Sequence, residues 1–333
     1  MSVVPNKSRI FEIDRAKGLA ILLVVIGHIE GRTPLSGADW YGVMKQWIYL
    51  FHMPFFMFLS GFIMEYTYKP VTAVSGYFRF VRGKFMRLMP AFFVVAVLIV
   101  MGKTIASHLI HVDNVPQGIW SGLIDIAVRP VYSSASALWY IYVLFIYYLL
   151  FPILKKVSRG LAWPLLLLGA GAYVVHSDLT SFLALNRVAE YTLFLTIGVV
   201  LARNFTAFTQ RLDKFGWATL ILFIVLSLFH HVLPYPKLVL GLASIPALMF
   251  LIRLPVVRDS EVLLTWGKYV FVIYLLNTLF IGFAKGIGLK VMSWDGLNFL
   301  IYFPLLVAAG MLLPIAFKKW VLAKWPPLDR MTA

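Results

Sequence analysis

Apolar residues in this chain come in long unbroken runs, and that pattern constrains the fold more than anything else in the sequence. Ten runs stand out, at about 14–31, 44–67, 86–109, 136–154, 162–177, 187–202, 215–232, 236–252, 267–285 and 297–317. They are continuous rather than alternating, so they suit helices crossing a bilayer and not the strands of an outer-membrane barrel. Several are short for a span, and tilt or local thinning of the bilayer would accommodate them. The expected fold is an all-α integral membrane protein, a polytopic bundle of about ten transmembrane helices.

Composition agrees. Of 333 residues, 61% are hydrophobic and 13% charged, whereas soluble domains are about half apolar and a quarter charged. The connections at 31–43 and 111–135 are too small for a separate domain, so 1–333 reads as a single transmembrane domain. Neither a low-complexity tract nor a convincing internal repeat is visible.

The net charge is +16. On a soluble protein that would suggest nucleic acid; here it reads as topology, because cytoplasmic loops of membrane proteins are rich in Lys and Arg. With the N-terminus inside and ten spans, 22 of the 30 basic residues fall on the inner side and 8 on the outer. Both termini are therefore expected in the cytoplasm, and nucleic acid is not an expected partner. The first run resembles a signal peptide only superficially: Glu12, Asp14 and His28 intrude, so it is read as an uncleaved span. Cysteine is absent, which excludes disulfides, S-palmitoylation and a cysteine thioester intermediate.

Against this background the ionisable residues at membrane depth are candidates for function. Residues 14–28 read Asp-Arg-Ala-Lys-Gly-Leu-Ala-Ile-Leu-Leu-Val-Val-Ile-Gly-His. In a helix, Lys17 and His28 would differ by about 20° beyond three turns and be roughly 16 Å apart along the axis. One face would carry a cation at one surface and an imidazole near the other, with Asp14 three residues before Lys17. Imidazole titrates near neutrality and can take a proton from a hydroxyl or act as a nucleophile itself. The plain alternative for His28 is a buried side chain hydrogen-bonded to a neighbouring carbonyl, and for Lys17 a topology charge.

A second group is the run Arg79-Phe-Val-Arg82-Gly-Lys84-Phe-Met-Arg87, ending at Pro90 and placed, with Lys69, in one inner loop. It has two readings: positive-inside charge drawn to anionic lipid, and a phosphate site gripped by Arg forks. A third is the stretch from Phe51 to Phe62, in which Pro54 is expected to kink a span and free a carbonyl beside His52. His52 then serves either a polar pocket or only the broken helix. Glu65 and Glu190 read as interfacial residues near an inner and an outer helix end. Trp139 and Tyr140 open the fourth run, and Asn277 lies within the ninth. His108, His111, His230 and His231 have no carboxylate or thiolate partner at metal-ligand spacing, so no metal is expected.

With these residues in place, the chain resembles the acyltransferase-3 family of bacterial membrane O-acyltransferases, in particular its fucose 4-O-acetylase-like members. The resemblance is carried by Asp14, Lys17 and His28, by Phe-His-Met-Pro…Ser-Gly-Phe at 51–62 and by the basic run into Pro90. Leu-Trp-Tyr at 138–140 and Gly-Lys-Tyr…Ile-Tyr-Leu-Leu at 267–276 complete it, in family order over most of the chain. One departure is Asn277, where family members often carry a histidine. No esterase-like domain is appended, so this would be a stand-alone member.

The resemblance implies an enzyme of the bacterial cytoplasmic (inner) membrane. It would move an acyl group, acetyl first among them, from cytoplasmic acyl-CoA to a hydroxyl of a lipid-linked or polymeric glycan. It further implies donor phosphates at Lys17 and at Arg79, Arg82, Lys84 and Arg87, and a pantetheine arm threading along the first span. His28 would then be base or acyl carrier, Asp14 would orient Lys17, and His52, Trp139, Tyr140 and Asn277 would meet the acceptor. The rival class is a transporter or flippase for a lipid-linked sugar, which also fits many helices with buried His and Lys but leaves the inner cationic cluster unexplained.

Overall fold

The computed structural model describes residues 9–29, 37–108, 112 and 114–332, so Lys7, Arg32 and His111 lie outside the described residues. Among those described, the regular structure is entirely helical. The helices are α1 Phe11–Gly27, α2 Asp39–Tyr49, α3 His52–Thr67, α4 Val74–Ala106, α5 Ile119–Val128, α6 Trp139–Val157, α7 Trp163–Val175 and α8 Leu185–Arg203. They continue with α9 Phe205–Leu228, α10 Pro236–Arg253, α11 Pro255–Arg258, α12 Glu261–Lys268, α13 Val270–Gly288, α14 Phe299–Trp320 and α15 Pro326–Met331. Among the described residues seven stretches are long and apolar enough to cross a membrane: Asp39–Thr67, Val74–Ala106, Ser136–Val157, Phe182–Arg203, Pro236–Arg253, Val270–Gly288 and Phe299–Lys324. The protein is a polytopic membrane helix bundle. The other three expected spans fall on α1, α7 and α9, with 17, 13 and 24 residues.

Three expectations about elements change. The run 44–67 is not one kinked helix: α2 stops at Tyr49 and α3 starts at His52. Pro54 therefore lies in the first turn of α3, where a missing N–H costs nothing. The basic run is not a loop but the opening turns of α4, which carries Pro90 in its interior and continues for 33 residues. At 1.5 Å per residue that is about 50 Å, well beyond a hydrocarbon core of about 30 Å. The ninth run is divided at Tyr269 into α12 and α13, and the connection 111–135 holds the apolar helix α5.

The chain packs as two units interleaved in sequence: Met1–Ile21, Leu50–Lys69 and Phe194–Val270 in one, Leu22–Tyr49, Pro70–Leu193 and Phe271–Ala333 in the other. In the first, glycines let helices touch backbone to backbone. A Cβ on Gly18 would lie 2.1 Å from the Leu263 carbonyl oxygen, and one on Gly267 would lie 1.8 Å from that of Asp14. Helices α1 and α12 thus each present a glycine to the other. Gly61 on α3 and Gly198 on α8 repeat the device: a Cβ on either would lie 2.0 Å from a carbonyl oxygen, of Leu195 and Phe58 respectively. Small residues at such crossings are how helices associate where lipid supplies no hydrophobic drive.

Several charges of the same unit are paired within it. Asp14 pairs with Arg9 and, at 2.6 Å, with Lys17. Arg253 bridges Glu12 and Asp213, both at 2.6 Å, and Arg203 holds Glu65 at 3.0 Å. Glu65 is thus bound to α8 rather than left as a simple interfacial residue.

In the second unit, α4 lies along α6 through the ring pairs Phe85–Phe145 and Phe92–Tyr142. Trp40 and Tyr41 of α2 meet Phe299 and Phe303 of α14 edge-on or tilted. Gly310 of α14 faces Val25 and Ile281, where a Cβ would come within 3.0 Å of both.

Candidate active site

The clearest constellation lies in the second unit, around the end of α1. The helix terminates at Gly27, and His28 follows on a turn whose amide bonds the Val25 carbonyl at 3.0 Å. The last step of the face arithmetic is therefore not α-helical. A helix end leaves carbonyls without partners, and here α2 supplies them: Tyr41 donates its phenol to Ile26 O and Tyr49 to Gly27 O, both at 2.8 Å. Gly27 makes the second bond possible, since a Cβ there would stand 2.6 Å from the Tyr49 ring. The backbone entering His28 is held from two sides.

The imidazole is held separately. His28 Nδ1 lies 2.8 Å from Asn277 Oδ1 on α13, and Asn277 is wholly buried. Its Nδ2 donates to Ile273 O at 2.9 Å and to Tyr274 O at 2.7 Å. His28 is itself only half-buried, and among the described residues its Nε2 has no hydrogen-bond partner. Lys45 brings a cation beside this end of α1, its Nζ 5.9 Å from both the Tyr41 and Tyr49 ring centres.

Helix α13 continues the site toward α6. Tyr274 donates to Ala137 O at 2.7 Å, and its ring centre is 5.1 Å from that of Tyr140. Trp139 stacks on Tyr191 of α8 at 5.2 Å, and the Arg187 guanidinium lies 5.7 Å from the Trp139 ring centre. Arg187 is paired with Glu190 at 2.6 Å. Glu190 is buried, so it belongs to this layer and is no surface residue.

The basic residues of α4 divide. Lys84 points into aromatic surroundings, with Nζ 4.3 Å from the Tyr148 ring centre and 5.5 Å from that of Phe80. Arg79, Arg82 and Arg87 are exposed, and none has a carboxylate within ion-pair distance among the described residues. Asp14, Lys17 and His52 belong to the first unit, where Lys17 is tied to Asp14 and His52 is buried in the first turn of α3.

Comparison with known sequences resolves what such an arrangement belongs to. The model of the acyltransferase-3 family, described as an acyltransferase domain, matches residues 10–319. The chain belongs to the acyltransferase-3 family. It is also 23% identical over 221 residues to the nodulation protein NolL of Mesorhizobium japonicum, covering 65% of this chain and 54% of NolL. The chain thus spans about half the length of that relative. No solved structure matches.

Sequence reasoning missed Tyr41, Tyr49 and Gly27, and gave Arg187 only a topological role. Two tyrosines in a helix rich in aromatics look like interfacial anchors, and only the position of the α1 carbonyls makes them caps. Arg187 and Glu190 did carry a signal: at i,i+3 on a helix they form a pair.

Proposed function

We propose that the protein transfers an acyl group, acetyl first among them, from cytoplasmic acyl-CoA to a hydroxyl of a cell-envelope or exopolysaccharide sugar. It would do so as a multi-pass protein of a bacterial cytoplasmic membrane. The carrying observation is His28, a half-buried imidazole with one nitrogen on Asn277 and the other without a hydrogen-bond partner among the described residues. Such a group can take the proton of a sugar hydroxyl while its oxygen attacks the thioester carbonyl, the C–S bond breaks and the CoA thiolate leaves and is protonated. Equally, it can accept the acyl group on nitrogen and pass it on. Family membership supports this over a transporter.

In this reading Arg79, Arg82 and Arg87 meet the donor phosphates, since among the described residues no carboxylate engages them. Lys84 lines the same helix. Trp139 offers a ring for sugar stacking, with Tyr140 beside it.

The test is transfer of label from acetyl-CoA to candidate glycans by purified protein. His28→Ala should lower turnover by about 10²- to 10⁴-fold in a variant that still folds; unchanged transfer would remove the mechanism. Arg82→Ala should raise KM for acyl-CoA and leave KM for the acceptor unchanged. The reverse pattern would remove the phosphate assignment, and absence of CoA binding by the intact protein would favour transport.

A further inference from the structure

We infer that Asn277 is a positioning residue that fixes the tautomer of His28, so that Nε2 is the nitrogen that reacts. The argument starts from the amide. Nδ2 and Oδ1 differ in what they can do: the nitrogen has two hydrogens to donate and the oxygen only accepts. Two carbonyl oxygens, of Ile273 and Tyr274, face one terminal atom of the side chain at 2.9 and 2.7 Å. That atom must be the nitrogen, because an oxygen there would confront two acceptors.

The other terminal atom is therefore the oxygen, and it lies 2.8 Å from His28 Nδ1. An oxygen that only accepts requires a proton on Nδ1. In the neutral imidazole the lone pair is then left on Nε2. With two donor hydrogens and an acceptor site committed inside the protein, and the residue wholly buried, Asn277 does not reach an acceptor sugar. Its role is to hold the ring, as Tyr41 and Tyr49 hold the backbone beneath it. The arrangement serves both routes left open above, since a base and an acyl carrier alike need an unprotonated nitrogen facing the substrate.

This inference rests on the reading of His28 as the reacting group, but its first test does not. In protein carrying ¹⁵N-labelled histidine, the His28 ring signals are identified by their loss in His28→Gln. In the neutral ring of the intact protein, Nδ1 should show the shift and one-bond coupling of a protonated nitrogen and Nε2 those of a bare one. The opposite assignment overturns the inference. Asn277→Leu should abolish that preference and lower kcat on the order of 10- to 100-fold while leaving KM for acyl-CoA unchanged. Asn277→Asp keeps an acceptor for Nδ1, and its second oxygen can carry a proton toward Tyr274 O, so it should restore both tautomer and turnover relative to leucine. Wild-type kcat in Asn277→Leu, or an Asn277→Asp variant no better than leucine in both readouts, overturns it. If the spectra are as expected but His28→Ala leaves transfer intact, the tautomer assignment stands and the catalytic reading fails.

Discussion

At the scale of single residues, the site is a set of hydrogen bonds between groups far apart in sequence. His28 was legible as a functional candidate because an imidazole in an apolar run is costly. Its partner was not, because 249 positions separate it from Asn277, and no periodicity links two different helices. The same holds for Tyr49, whose hydroxyl caps Gly27 O. Tyr49→Phe removes one hydrogen bond, about 0.5–1.5 kcal/mol, and keeps the ring that packs against Gly27. The expected outcome is a small fall in thermal stability with a several-fold loss of kcat and an unchanged KM for acyl-CoA. Gly27→Ala should cost more on both counts, because the ring itself has to move. Steady-state kinetics beside thermal unfolding in detergent separates the two. A Tyr49→Phe variant with full turnover would show that the cap does not place His28.

Elements were read well where the apolar pattern alone defines them, as for α8, α10 and α14. They were misread where backbone chemistry sets the boundary. Pro54 looked like a kink because a proline inside an apolar run removes a hydrogen bond, yet α3 begins two residues earlier and the bond was never required. The basic turns of α4 looked like a loop because charge does not continue a hydrophobic pattern, although Lys and Arg are good helix formers. Gly267 was seen as part of a family landmark, without its physical reason. That reason is contact: α12 lies so close to α1 that a methyl group would overlap the Asp14 carbonyl. Gly267→Ala must push the two helices apart, at a cost of about 1–3 kcal/mol. Gly83, in the interior of α4, has open space around it, so Gly83→Ala should stabilise by about 0.5–1 kcal/mol through helix propensity. Opposite shifts in apparent Tm are the expected result; an unchanged Tm for Gly267→Ala would mean that the crossing yields without cost.

For the whole molecule, composition and charge fixed the class from sequence alone, while the division into two interleaved units was invisible, because it depends on which distant helices meet. The number of crossings joins these levels. Among the described residues seven stretches satisfy both length and apolarity, and an odd number of crossings would put the two termini on opposite sides. The expected division of basic residues, 22 against 8, is that of a ten-span chain in which α1, α7 and α9 cross as well. Of these, α7 is decisive: its 13 residues give about 20 Å, short of a core of about 30 Å, so it crosses only with the turns beside it and a locally thinned bilayer. The natural chain lacks cysteine, so a single introduced thiol labels without background. Lys156 and Asp178 are exposed and flank α7. With Lys156→Cys, a membrane-impermeant maleimide should react only when it reaches the cytoplasmic face, as in inverted vesicles. With Asp178→Cys it should react in intact cells. Labelling of both from one side would mean that α7 enters and leaves by the same face. The basic residues beyond it would then exchange sides, and the predicted inner position of the C-terminus would fall with them.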